Sequence, residues 1–147
     1  MDIYKEWKNG RLPIINGILY GNSTIEWINI DYDLNYKRII NRGSILCVND
    51  LIMKNELYFS TISTCYQFED KNNDLVIYCG GGSYGSEGYI VVESKIDLKL
   101  IWIAFFEESN PFEKLEIIGD KIIAYNNLNE KWIFDINNPS NLTVEYK

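Results

Sequence analysis

The densest set of side chains able to do chemistry is a carboxylate run, Glu107, Glu108, Glu113, Glu116 and Asp120. Two carboxyls held across a cleft can serve as acid and base on a glycosidic bond, and clustered carboxylates can hold calcium. The run lacks the Asp-x-Asp-x-Asp-Gly spacing of a calcium loop, and no aromatic sugar platform is tied to it, so a solvated acidic edge is the better reading. The chain has no histidine, which removes the usual base from serine and cysteine triads, and it carries no GxSxG elbow. Cys47, Cys65 and Cys79 follow neither CxxC nor CxH spacing and sit among apolar or β-branched neighbours, the setting of reduced thiols packed as small hydrophobes. The expectation is a non-enzymatic protein without a catalytic set, metal site or cofactor.

One motif imitates a nucleotide site. Gly80-Gly81-Gly82-Ser83-Tyr84-Gly85 matches GxGxxG and follows a strand-like run, Leu75 to Cys79. A dinucleotide fingerprint must then open a helix whose N-terminus faces the pyrophosphate. Here Glu87-Gly88-Tyr89-Ile90-Val91-Val92 follows, which is strand material. The expected structure is a flexible hairpin loop with positive φ at several glycines, Tyr84 at its tip and Glu87 beside it, usable as a contact surface.

The elements that would position these residues are mostly strands. Short β-branched and aromatic runs are punctuated by Asn, Asp and Gly, which predicts strands near 14–20, 24–32, 36–40, 44–48, 57–68, 75–79, 88–94, 98–107, 121–125, 131–136 and 142–146. Trp132, Phe134 and Ile136 alternate with Lys131 and Asp135, and Leu142, Val144 and Tyr146 with Thr143 and Glu145, as in strands with one wet face. Ile101 to Phe106 is apolar on both sides and should be a central strand. Two helices are expected, one turn or two over Asp2 to Lys8 and a short one opened by Asn110-Pro111-Phe112-Glu113 with Gly119 as its C-cap.

The segment from Ile117 to Ile136 is similar to a propeller-blade hairpin, but a closed propeller needs about 16 strands, more than the runs above supply. The fold class expected is mainly β: a single antiparallel domain over residues 1–147, either a two-layer sandwich or a strongly curved sheet, with at most one or two short helices. Trp102 and Trp132 belong to its core, whereas Tyr66 and Tyr84 are placed in loops as contact residues.

Charge narrows the partners. The net charge is −7 at a sequence pI of about 4.6, a field that repels nucleic acid and anionic lipid and attracts basic partners. Residues 1–86 hold 10 acids and 8 bases, and residues 87–147 hold 11 acids and 6 bases, so the acidity leans to the C-terminal part. No signal-peptide pattern opens the sequence and no apolar run reaches a membrane span of about 20 residues, so a cytoplasmic protein is expected.

Gly82-Ser83-Tyr84-Gly85-Ser86-Glu87-Gly88, Ile101-Trp102-Ile103-Ala104-Phe105-Phe106, Ser109-Asn110-Pro111-Phe112 and Trp132-Ile133-Phe134 together resemble small bacterial immunity proteins of polymorphic-toxin and contact-dependent growth inhibition systems. Such proteins share a role more than a fold. The resemblance implies an antitoxin that neutralises a protein toxin, a basic nuclease, by filling its groove, with no direct contact to nucleic acid or membrane. Chemistry, and no family motif, then nominates the surface: Tyr84, Glu87, Glu107, Glu108, Glu113 and Glu116. The competing expectation is a ligand-binding β module for carbohydrate or another small molecule, built on the aromatic content and the glycine loop.

Overall fold

The computed structural model describes residues 2–146. The β-branched and aromatic runs form twelve strands in two antiparallel sheets, with two short helices. In chain order the elements are α1 (Ile3–Lys8), β1 (Arg11–Pro13), β2 (Gly17–Tyr20), β3 (Thr24–Tyr32), β4 (Arg38–Cys47), α2 (Val48–Met53), β5 (Phe59–Asp70), β6 (Leu75–Gly82), β7 (Gly88–Ser94), β8 (Leu100–Phe106), β9 (Lys114–Ile118), β10 (Lys121–Tyr125), β11 (Glu130–Asp135) and β12 (Asn138–Tyr146). The large sheet runs β1-β5-β6-β7-β8-β2-β3-β4 and the small one β12-β11-β10-β9.

The period-two pattern decides how the sheets stack. Ile18, Ile90, Val92, Trp102, Ala104 and Phe106 on one face of the large sheet meet Leu115, Ile122, Ala124, Trp132, Phe134 and Leu142 of the small sheet. Trp102 lies 5.8 Å from Phe134 and Phe106 lies 5.2 Å from Trp132, ring centre to ring centre, so aromatic contacts span the interface. The opposite face of the large sheet, with Leu19, Ile25, Tyr89, Val91, Ile103 and Phe105, is covered by Trp7 of α1 and by Val48 and Leu51 of α2. Strands β7 and, from Trp102 onward, β8 are thus buried on both faces, which is why Ile101 to Phe106 has no polar side, Ile101 alone being exposed. Strand β8 occupies the central position expected of it, and both Trp102 and Trp132 are core residues.

Several local expectations are corrected. No helix follows Asn110-Pro111: residue 110 has φ +62°, and residues 114–118 form β9. Its amide donates to the Ser86 carbonyl and that of Phe112 to Gly80, while Phe112 is fully buried, so the segment is drawn onto the large sheet before a helical turn can close. Gly119 serves the β9–β10 turn at φ +62°. The runs at 36–40 and 44–48 are one strand, β4, and the next residues form an unanticipated helix, α2. Tyr66 lies in β5, partly buried against the core.

The glycine stretch is also different from the flexible loop expected of it. Left-handed φ among the described glycines occurs at Gly10 and Gly119, while Gly80 to Gly82 extend β6. They are needed for close approach: a Cβ on Gly80 would fall 1.9 Å from the Ser63 carbonyl oxygen. A Cβ on Gly82 would fall 2.0 Å from a Glu87 carboxylate oxygen, so its absence makes room for that side chain to turn inward.

Candidate functional site

The segments carrying the nominated residues converge at one end of the sandwich. Residues 107–113 leave β8 there, residues 83–87 turn from β6 into β7, residues 126–129 turn from β10 into β11, and residues 33–37 turn from β3 into β4. They are stitched together. The Asn110 amide donates to Ser86 O at 2.7 Å, the Asn110 side chain to Asn127 Oδ1 at 2.9 Å, and the Asn126 side chain to Ser109 O at 2.8 Å. Asn16 holds both ends of Glu107, accepting from its amide at 2.8 Å and donating to its carboxylate at 2.6 Å.

Beneath this end lies one buried ion pair. Arg38 donates through Nε to Glu130 Oε2 at 2.9 Å and through Nη2 to Glu130 Oε1 at 3.2 Å, a bidentate pair with 1% and 4% of the two side chains exposed. Nη2 also donates to the Glu108 carbonyl at 3.0 Å. Glu130 further accepts from the Asn126 amide at 2.8 Å and from the Trp132 indole at 3.2 Å. The guanidinium lies 4.3 Å from the Tyr32 ring and 5.4 Å from that of Trp132. A cavity of about 210 Å³ opens here between Arg38, Asn16, Ile28, Phe106, Trp132 and residues 107–109. Among the described residues no buried side-chain nitrogen or oxygen lacks a partner, so this cavity has no orphan polar atom aimed at a ligand.

The nominated residues separate into three situations. Tyr84, Glu107, Glu108 and Glu113 are exposed on the stitched end. Glu116 sits just round the corner on the outer face of the small sheet, half-buried, accepting from the Tyr125 hydroxyl at 3.0 Å across a shallow groove that it shares with Glu113. Glu87 cannot touch a partner. It is 2% exposed and accepts from the Ser60 hydroxyl at 2.6 Å, so it braces the β6–β7 turn from inside.

Sequence reasoning passed over the β3–β4 hairpin, whose tip raises Leu34 and Tyr36 at the same end. The signal was present in Asp33-Leu34-Asn35-Tyr36, turn formers alternating with large apolar residues. It also passed over a second cavity, of about 560 Å³, on the helix-covered side between Tyr4, Leu19, Val48, Leu98, Leu100 and Ile103. Near that side the buried Glu93 accepts from the Trp7 indole at 3.3 Å and from the Tyr78 hydroxyl at 2.9 Å. Burial, then the Glu93 hydrogen bond and charge, push Tyr78 up to about 12. Burial also pushes the Cys79 thiol up to about 12, and the three cysteines are free, which leaves Cys79 unreactive at neutral pH.

Two buried carboxylates tie stability to pH. Burial alone would raise Glu130, but hydrogen bonds from Arg38, Asn126 and Trp132 outweigh it and hold its carboxyl below the ordinary range. Glu26 behaves alike: burial raises it, and hydrogen bonds from Tyr20, Arg42 and Ser140 bring it lower. A carboxyl whose pKa is lower folded than unfolded contributes its full stabilisation above the unfolded value of about 4.3, and loses it as pH falls through the folded value. The urea midpoint should therefore be flat near neutrality and drop below about pH 4.3, with a smaller drop in Glu130→Gln, whose side chain does not titrate. An equal acid-induced loss in that variant would remove Glu130 from the account.

Compared with protein-family models, curated proteins and solved structures, the chain matches none. Its function is therefore argued from the site itself. Among the described residues no group of three or more His, Cys, Asp or Glu is placed to hold a metal ion, and no helix is long and apolar enough to cross a membrane.

Proposed function

We propose that this is a non-enzymatic, cytosolic neutralising protein of the immunity kind, which binds a basic protein partner, a nuclease toxin, and covers its working groove with the stitched end of the sandwich. One observation carries the reading: Tyr84, Glu107, Glu108 and Glu113, scattered over 30 residues of sequence, stand exposed on segments that are hydrogen-bonded to one another. A rigid surface with an acidic rim speeds encounter with a basic groove and needs little ordering when it docks. The carboxylates that lie deeper serve the fold: Glu87, Glu93 and Glu130 each accept from neighbouring side chains.

Co-purification from the native cell followed by an activity assay tests this. The expected partner is basic, is inactive in the complex, and associates about tenfold or more slowly when Glu107, Glu108 and Glu113 are all changed to Lys, with the rate falling as salt is added. A partner that stays active in the complex, or binds with a rate indifferent to salt and to charge reversal, sinks the proposal.

A second reading, a small-molecule-binding module, draws on the cavity of about 560 Å³ beside α1 and α2, whose apolar floor is rimmed by Asp2, Asn49, Asp97 and Lys99. It requires a small ligand to co-purify with the chain and to be lost on filling the floor with Val48→Trp.

A further inference from the structure

We propose that the tip of the β3–β4 hairpin is the anchor of this binding face, a preformed apolar knob that seats in an apolar hole ringed by Lys or Arg side chains on the partner. The inference rests on the reading above, that the partner is a basic protein.

Exposure comes first. Leu34 is 99% and Tyr36 82% exposed, with Tyr32 at 47% and Ile39 at 40% on the strands below. Single exposed hydrophobes are ordinary; several large ones gathered on one projecting turn mark an interaction site.

The turn holding them is rigid. Asp33 Oδ1 accepts from the amides of Asn35 at 2.8 Å and Lys37 at 2.9 Å, while the Asp33 carbonyl accepts from Tyr36 N at 3.0 Å and the Asp33 amide donates to Lys37 O at 2.8 Å. Tyr36 sits at φ +59°, in the left-handed region that Gly and Asn occupy readily and a bulky side chain does not. Asn at this position would relieve the strain, so the ring stands here at a cost to folding. The base of the hairpin is braced on the small sheet, where the Arg38 amide donates to the Tyr146 hydroxyl at 2.6 Å and the Lys37 ammonium lies 3.9 Å from the Tyr146 ring. A knob fixed in this way loses little freedom on docking, and a Tyr beside a Leu suits a binding hot spot.

Charge selects the occupant. Asp31 and Asp33 flank the knob in the open, the Arg38 guanidinium is neutralised by Glu130, and Lys37 folds back over Tyr146. With Glu107 and Glu108 behind it and −7 on the whole chain, the tip favours a basic rim around its hole and opposes both a second copy of itself and an anionic lipid surface.

The test uses the partner retained by the full wild-type chain, expressed and purified on its own, with kinetics measured against wild type, Leu34→Ser, Tyr36→Asn and the double variant. Each single change should speed dissociation by about thirtyfold or more and leave association nearly unchanged, while the urea midpoint of Tyr36→Asn equals or exceeds that of wild type. Gain of stability with loss of binding is a combination that a structural role for Tyr36 does not produce. If the double variant holds the partner as tightly as wild type while the Lys variants of Glu107, Glu108 and Glu113 weaken it, the anchor falls and the acidic face stands. Recovery of no basic partner overturns both. Wild-type chains that sediment as a dimer, and as a monomer once Leu34→Ser is introduced, overturn the proposal in favour of a second copy.

Discussion

Replacing Arg38 with Ala should lower the unfolding free energy by about 3–5 kcal/mol, the usual result of stranding one member of a buried ion pair. The Glu130 carboxylate would keep its bonds from Asn126 and Trp132 but lose both guanidinium bonds in a site where 4% of its side chain is exposed. The opposite result is expected of the apolar swap. Arg38→Met combined with Glu130→Met removes the desolvation penalty together with the attraction, and such exchanges fall near neutral or better. The double change should therefore recover most of what Arg38→Ala loses. Urea unfolding of the two variants beside wild type decides the matter: an Arg38→Ala cost below about 1 kcal/mol is what a solvent-exposed pair gives, and it would mean that the two sheets do not close over Arg38 as described.

The other large effect is expected at Trp102, 2% exposed in the central strand. Its ring packs on Phe134 of the small sheet, and its indole nitrogen donates to the Ile136 carbonyl at 2.8 Å, so one residue fastens the two sheets by both packing and a hydrogen bond. Trp102→Ala should cost about 3–5 kcal/mol, from lost transfer energy and the hole left behind. Trp102→Phe separates the two contributions. It keeps most of the apolar contact and strands the Ile136 carbonyl, for a cost of about 1–3 kcal/mol. Equal costs for the two variants would put the whole effect on the hydrogen bond. A negligible cost for both would contradict the stacking of the sheets.

Much of the architecture was legible because alternation is a local property. Trp132, Phe134 and Ile136 against Lys131 and Asp135 announce a one-sided strand, and Ile101 to Phe106 a two-sided one, without knowledge of their neighbours. The misses share another cause. Asn110-Pro111 carries the letters of a helix start, but Phe112 is buried against Trp132, and that tertiary contact outweighs local capping preference. Glu87 looked like a loop carboxylate because nothing nearby in sequence reveals Ser60, which lies 27 positions earlier and supplies its partner. Arg38 and Glu130, 92 positions apart, were invisible as a pair for the same reason. The acidic end was partly legible, since Glu107, Glu108 and Glu113 are close in sequence, whereas the hairpin tip had to be seen standing clear of the body before its exposure meant anything.

The order of strands in the large sheet carries a consequence for how the chain is made. Strands β2, β3 and β4 form one meander and β5 to β8 another, and the two are joined by the pairing of β2 with β8, Gly17 opposite Phe105 and Tyr20 opposite Trp102. A ribosome delivers the first meander complete by Cys47 but does not supply its neighbour until Phe106 has been synthesised. Through that interval β2 presents an unsatisfied ladder and the apolar side chains of Ile18 and Leu19 to solvent. Closing so distant a seam is entropically slow, so the nascent chain passes through a window in which chaperones or aggregation compete for the same edge.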